Sequence, residues 1–119
     1  MKYMLMMFGC AAGMAESASP GWIREMLAFM RGLDQELTES GEMVFNEGLT
    51  DGSTATTVRF EDGAIVTTDG PFADAKESLI GFWIVDVESE KRALEIGSRI
   101  VKYSSVLELR RVADGPPEV

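Results

Sequence analysis

Two stretches of this chain, residues 2–8 and 79–87, are apolar at nearly every position, and they constrain its fold more than any other feature. Each has the length of a β-strand and is too short to cross a membrane as a helix. Successive side chains of a strand point to opposite faces of the sheet, so both strands are apolar on both faces. The alternation places Met4, Met6 and Phe8 together in the first strand, and Ile80, Phe82 and Ile84 together in the second, opposite Leu79, Trp83 and Val85. A sheet built from these strands must be covered on both sides.

Helices and further strands are predicted around these two. Ser19 followed by Pro20 is typical of a helix start, and apolar residues at helical spacing continue from there to Gly41, which ends the helix. A second helix is predicted over residues 90–101, behind the N-cap candidate Ser89. Alternating or β-branched runs predict strands at 43–49, 55–60, 64–68 and 106–112, with the middle two joined as a hairpin by Glu-Asp-Gly.

The resulting order of elements, β-α-β-hairpin-β-α-β, predicts one α+β domain over residues 1–112, followed by a flexible tail at 113–119. Its fold class is ferredoxin-like with an inserted hairpin. Helices cover only one face of such a sheet, which leaves the second apolar face without a cover. Burying about six large apolar side chains stabilises a fold by on the order of 10 kcal/mol before association costs. We therefore expect a homodimer, with the folding back of the hairpin over that face as the alternative.

Composition excludes several classes of function. The net charge is −9, from 20 acidic and 11 basic residues, so neither nucleic acid nor an anionic membrane is an expected partner. The chain has no histidine, which excludes a histidine-dependent catalytic triad and zinc sites built from several His and Cys ligands. A single cysteine, Cys10, permits no internal disulfide and fits a cytoplasmic protein. No cofactor or metal is predicted.

The N-terminal residues allow a second interpretation. Lys2, the apolar run 3–8 and Cys10 have the order of a lipoprotein signal. That run is six residues long, whereas the apolar region of a signal peptide needs about seven to fifteen. The length favours a first β-strand.

Five residues are candidates for a site. Asp69 is either part of a rigid Asp-Gly-Pro turn or a pocket carboxylate, and Lys76 is either a solvated charge or a ligand for an anionic group. Glu108 and Arg110 share one face of the last strand, about 7 Å apart, and look either into a cavity or to water. Trp83 is either core or an aromatic wall for an organic ligand.

Three segments carry a resemblance to a known family. Residues 55–59 (ATTVR), 68–77 (TDGPFADAKE) and 81–87 (GFWIVDV) resemble the DGPF-domain family, which is similar to the YCII-related proteins. The resemblance implies a ferredoxin-like fold that pairs into a dimeric α+β barrel, in a bacterial, cytoplasmic protein. Some members accompany extracytoplasmic-function sigma factors. Related YCII proteins are thought to use a His and an Asp, and that mechanism does not carry over to a chain without histidine.

These observations lead to two functional hypotheses. In the first, the dimer encloses a small-molecule pocket and catalyses cofactor-free proton transfer. Asp69 is then the base, Lys76 and Arg110 hold an anionic group, Glu108 orients them, and Trp83 contributes to the substrate site. In the second, the protein is a non-catalytic ligand-sensing or partner-binding module linked to a regulator such as a sigma factor. Charges converging on an enclosed cavity favour the first, and an apolar cavity with those charges outside favours the second.

Overall fold

Four strands form one antiparallel sheet, and two more form a separate hairpin, in a computed structural model that describes residues 1–10, 13, 18–73, 77–104 and 106–118. The strands of the sheet are β1 (Lys2–Gly9), β2 (Met43–Gly48), β5 (Ser78–Asp86) and β6 (Leu107–Arg111), arranged in the order β2-β5-β1-β6. The hairpin consists of β3 (Thr56–Glu61) and β4 (Ala64–Asp69). This order is consistent with a ferredoxin-like α+β fold with a hairpin inserted before β5.

Two helices, α1 (Pro20–Glu39) and α2 (Glu90–Ile100), begin where the sequence predicts them. The side-chain oxygen of Ser19 accepts a hydrogen bond from Trp22 N at 3.1 Å, and that of Ser89 accepts one from Arg92 N at 3.1 Å. Each N-cap therefore satisfies one backbone donor that the helix itself leaves unpaired. Short 3₁₀ turns lie at Gly52–Thr54 and Val101–Tyr103. Among the described residues, no helix combines the length and the hydropathy needed to span a bilayer.

The core lies between the helices and one side of the sheet, which we call the helix face. Leu5 and Val85 are fully buried there, and the helices contribute Leu33, Leu37, Ile96 and Ile100. The α2 backbone comes close to the sheet at Gly97, where a Cβ atom would lie 3.2 Å from Leu107 Cδ2. A glycine at this position thus permits the close approach of helix and strand.

A β-bulge changes the prediction for β5. The register of β1 against β5 shifts between Met7 and Phe8, so that Phe8 pairs with Leu79 and Met7 pairs with Gly81. The extra residue, Ile80, is 8% exposed and lies with Met7 and α1 on the helix face. The predictions that Ile80 shares a face with Phe82 and that Leu79 lies on the opposite face are therefore wrong, because a bulge breaks strict alternation.

The opposite side of the sheet, which we call the open face, is not covered by the described part of the chain. None of its apolar side chains is fully buried, and Phe45 is 50% exposed. Its apolar members are Met4, Met6, Phe8, Phe45, Leu79, Phe82 and Ile84. The centroids of the Phe45 and Phe82 rings lie 5.9 Å apart at an interplanar angle of 50°. These side chains form a continuous apolar surface across β2, β5 and β1.

The hairpin extends away from the sheet instead of folding over the open face. Val58, Phe60 and Ile65 are 63%, 73% and 68% exposed, so they have no extensive packing partner among the described residues. The molecule measures 48 × 47 × 19 Å, with a radius of gyration of 16.6 Å. A compact domain of this length has a radius of gyration of about 13–14 Å. The alternative in which the hairpin covers the open face is therefore wrong for the single chain.

Candidate functional site

The open face ends in a cleft of approximately 870 Å³ beside the hairpin, which we call the hairpin cleft. One wall is the end of the sheet, at Phe8 and Leu79. The opposite wall is β3, and the loop after β2 closes one side. Further lining residues among those described are Thr50, Asp51, Thr57, Val58, Arg59, Pro71, Phe72 and Glu77. The cleft combines an apolar wall with a few polar groups, which is the usual composition of a small-molecule site.

The turn after β4 holds the base of the hairpin in place. Gly70 N donates to Ala55 O at 2.7 Å, and Thr57 Oγ1 donates to Gly70 O at 2.7 Å. Gly70 has a φ of 98°, in the left-handed region that favours glycine. These contacts support the interpretation of Asp69-Gly70-Pro71 as a rigid turn that directs Phe72 to the cleft, where it is 83% exposed.

Asp51 organises the loop on the other side of the cleft. One carboxylate oxygen, Oδ2, accepts hydrogen bonds from Ser53 N at 3.1 Å and from Ser53 Oγ at 2.6 Å. The thiol of Cys10 donates to the other oxygen, Oδ1, at 3.7 Å, and Gly13 N donates to Cys10 Sγ at 3.3 Å. Nothing in the local sequence indicates that Asp51 meets Cys10, because the two residues are far apart in the chain.

The structure places Asp69, the predicted base, outside both clefts of the single chain. Asp69 lies exposed at the end of β4, opposite Thr56 in the ladder, and lines neither cleft among the described residues. Lys76 lies outside the described residues.

Glu108 and Arg110 lie on the open face of the edge strand β6, as neighbours of Met6 and Met4 in β1. They share one face of the strand, as the alternation predicts, and both are exposed in the single chain. Their charges border the apolar surface of the open face. Together with Glu47 on the opposite edge strand, they place polar groups on both margins of that surface.

Trp83 lies on the other side of the sheet. It is 6% exposed and lines a second cleft, of approximately 690 Å³, between α1 and strands β2 and β5. We call this cleft the helix-face pocket. The structure therefore does not bring Trp83 together with Glu108 and Arg110, from which the sheet separates it.

Ion pairs and shifted pKa values belong to the helix layer. Arg92 holds Glu42 through two hydrogen bonds of 2.9 Å and lowers the pKa of that carboxyl, while the pKa of Arg92 is raised by the same contact. Arg99 likewise lowers the pKa of Glu36. These pairs connect α2 to the loop before β2 and to α1, so their role is structural. Among the described residues, no cluster of three or more acidic or cysteine side chains could hold a metal ion.

The fold is that of an α+β protein whose antiparallel sheet is covered by helices on one face. The chain belongs to the YCII-related domain family, whose sequence model matches residues 1–114. It is also similar to the uncharacterized protein R00369 of Rhizobium meliloti (strain 1021). The two are 30% identical over 84 residues, which cover 67% of this chain and 68% of that relative.

Proposed function

We propose that the protein binds a small organic molecule and works as a homodimer in which the open faces of two copies pack together. The observation that carries this proposal is the continuous apolar surface of the open face, which nothing in the described chain covers. In the DGPF-domain relatives that residues 68–77 resemble, such pairing gives a dimeric α+β barrel. The narrower DGPF-domain relationship, and a bacterial and cytoplasmic setting, belong to the same proposal.

The energetics favour a second copy as the cover. Full burial of a large apolar side chain is worth about 1.5–3 kcal/mol, and each open face offers seven such side chains that are still partly in water. Monomeric proteins rarely leave an apolar patch of this extent exposed. Since the same patch occurs in every copy, a twofold pairing covers both with one set of contacts.

The hairpin provides a second argument. Val58, Phe60 and Ile65 lie on one side of it, because the ladder pairs Phe60 with Ile65 and Val58 with Thr67. This apolar side has no extensive cover in the described chain, and the hairpin extends beyond the sheet. In a dimer it reaches the partner, and the hairpin cleft then gains a wall from the second copy. Such a wall would convert an open cleft into an enclosed ligand site.

The described charges favour binding over catalysis. Catalysis by proton transfer requires Asp69 as base, Lys76 and Arg110 as the anion-binding residues, and Glu108 as the residue that orients them. Asp69, Glu108 and Arg110 line neither cleft of the single chain, so this mechanism depends entirely on groups brought together by the partner. A non-catalytic ligand sensor that acts on a regulator such as a sigma factor does not require these charged groups to be brought together. We therefore place ligand binding first and proton transfer second.

Sedimentation velocity over a hundredfold range of concentration tests the pairing. We expect the wild type to sediment as a dimer and Met6→Lys to sediment as a monomer, since it places a charge within the open face. Leu94→Lys is the matched control, because Leu94 is a 54% exposed apolar residue on α2, and we expect it to remain a dimer. A wild type that stays a compact monomer at millimolar concentration would refute the proposal.

Native mass spectrometry of the purified dimer tests the ligand. A small molecule retained by the wild type and absent from Met6→Lys would support a site completed by the partner. Addition of a purified sigma factor then separates the two hypotheses. Formation of a stable complex without any small molecule bound would favour a partner-binding module, and chemical turnover of the retained molecule would favour the enzyme.

A further inference from the structure

The helix-face pocket exists because α1 packs on the sheet along only part of its length. In its C-terminal half, Leu33 and Leu37 are 1% and 0% exposed, and they anchor the helix in the core. Nearer the N-terminus of the helix, Trp22, Met26 and Met30 line the space next to the sheet and stay partly exposed. Between them and the sheet lies the approximately 690 Å³ space whose floor includes Met7 and Ile80. Its volume falls within the range of about 300–1,000 Å³ found for small-molecule sites.

A residue that lines this pocket carries a buried donor without an acceptor. The indole Nε1 of Trp83 is shielded from water, and no group in the described part of the chain accepts its hydrogen bond. Buried N–H groups are nearly always paired, and an unpaired one destabilises the fold. A bound oxygen acceptor would remove that penalty, so the pocket has a specific reason to bind a molecule that carries one.

The charge at the pocket's polar end selects against anions. Asn46 Nδ2 donates to Asp34 Oδ1 at 2.9 Å, and both residues line the pocket. A carboxylate beside an apolar space repels a negatively charged ligand. The remaining lining is aliphatic, thioether and aromatic, which suits a flat apolar body.

We propose that the helix-face pocket binds an uncharged, largely apolar molecule, and that the Trp83 indole turns on binding so that the shielded Nε1 donates a hydrogen bond to a carbonyl-type oxygen of that molecule. This site is separate from the hairpin cleft, because it lies on the opposite side of the sheet. Its preference for a neutral ligand also differs from the anionic substrate that Lys76 and Arg110 would hold.

The two tryptophans of the chain make the test direct, because both Trp22 and Trp83 line the pocket. Titration with 2-acetylnaphthalene, followed by ¹H–¹⁵N NMR of the two indole groups, should shift both signals and move that of Trp83 downfield. The shape-matched hydrocarbon 2-ethylnaphthalene should bind about two- to tenfold more weakly, since it lacks the acceptor. The anion 2-naphthoate should also bind more weakly than the ketone.

Variants assign the effect to the pocket. Trp83→Phe should abolish the advantage of the ketone over the hydrocarbon, while retaining binding of both. Met26→Glu, which places a charge among the apolar lining, should weaken both probes at least tenfold. The matched control Leu94→Glu, on the exposed surface of α2, should leave both affinities unchanged.

Three outcomes would overturn the proposal. Indole signals that do not move up to the solubility limit of the probes would show that the pocket binds neither. Equal affinity of the wild type for ketone and hydrocarbon, or a ketone advantage that survives in Trp83→Phe, would remove the role of Nε1. Because the site lies within one chain, Met6→Lys should still bind the ketone, so a failure of dimerisation would leave this proposal standing.

Discussion

Leu5 and Met6 are adjacent residues of the same strand, and they represent two different kinds of apolar surface. Leu5 is fully buried against the helices, whereas Met6 lies on the open face and stays partly exposed. Their hydrophobicity does not distinguish them, because either side chain suits a core. What differs is the cover: α1 and α2 supply it for the helix face, and nothing in the described chain supplies it for the open face. The helix face is a core, and the open face is an apolar surface that the described chain leaves uncovered.

This difference has a measurable consequence. Contacts within one chain contribute a stability that does not depend on protein concentration. Contacts between chains contribute a stability that grows with concentration, because association is linked to folding by mass action. Substitutions on the two faces should therefore differ in size and also in their dependence on concentration.

The largest effect is expected for Leu5→Ala. It leaves a cavity in a fully packed core, which costs about 2–5 kcal/mol of unfolding free energy. Urea denaturation at micromolar and at submillimolar concentration should give the same loss. Met6→Ala is the matched control: its loss should be smaller in dilute solution and should increase at concentrations where dimers form. If the loss of unfolding free energy in Met6→Ala is as independent of protein concentration as the loss in Leu5→Ala, the open face is not an interface.

The helix layer is further secured by the pair of Arg92 and Glu42, which are only 27% and 17% exposed. Glu42→Gln should lower the unfolding free energy at pH 7 by about 1.5–3 kcal/mol, since it removes a charge-assisted, bidentate contact. The pKa of Glu42 is lowered from its usual 4.5 by the hydrogen bonds from Arg92. Its contribution is therefore complete above that usual value and is lost as the pH falls through the lowered one.

Urea denaturation at a series of pH values checks this sign. The gap between wild type and Glu42→Gln should be constant near neutrality and should close in acid. Glu36→Gln removes the corresponding pair with Arg99 and should cost less, because that pair is more exposed and better screened by water. A gap that widens in acid would contradict the assigned direction of the pKa shift.

Two helix glycines compare a position packed against the sheet with an exposed one. An alanine Cβ at Gly97 would lie 3.2 Å from Leu107 Cδ2 and 3.5 Å from Leu5 Cδ2, whereas one at Gly32 would meet nothing within 4 Å. Gly97→Ala should therefore destabilise by about 1 kcal/mol, as overpacking outweighs the gain in helix propensity. Gly32→Ala should stabilise by up to about 1 kcal/mol. Thermal unfolding should show shifts of opposite sign, and shifts of the same sign would contradict the close packing of α2.

The regular elements were predictable because their signals are local. Ser19 and Ser89 cap the helices as predicted, and the alternation in β1 assigns Leu5 and Met6 to the correct faces. The bulge at Ile80 was not predictable, since it depends on how β5 pairs with β1 and not on the residues of β5 alone. The position of the hairpin could not be predicted for a related reason. Val58 and Phe60 are apolar, and this property does not indicate which surface they pack against.

The candidate sites show more clearly what the spacing of residues in a sequence cannot predict. Spacing alone placed Glu108 and Arg110 on one face, and they do share it. It could not show that Trp83 lies on the opposite side of the sheet from them, because that follows from the register between strands. Nor could it indicate the helix-face pocket, which exists because α1 packs closely at Leu37 and leaves a space at Met26. Such a space depends on helix orientation, which leaves no sequence motif.

The smallest effect on stability is expected for a substitution in the hairpin. The same substitution tests most specifically whether the hairpin contacts a second copy. Phe60 is 73% exposed, so Phe60→Thr should change the unfolding free energy in dilute solution by less than about 0.5 kcal/mol. Threonine also favours β-strands, because its side chain is β-branched, so the strand itself should persist. If the apolar side of the hairpin packs on a second copy, the same substitution should weaken dimerisation several-fold in sedimentation experiments. Val66→Thr, opposite Arg59 on the other side of the hairpin, is the matched control and should leave dimerisation unchanged. Dimerisation of undiminished strength in Phe60→Thr would confine the interface to the open face and leave the hairpin cleft without its proposed second wall.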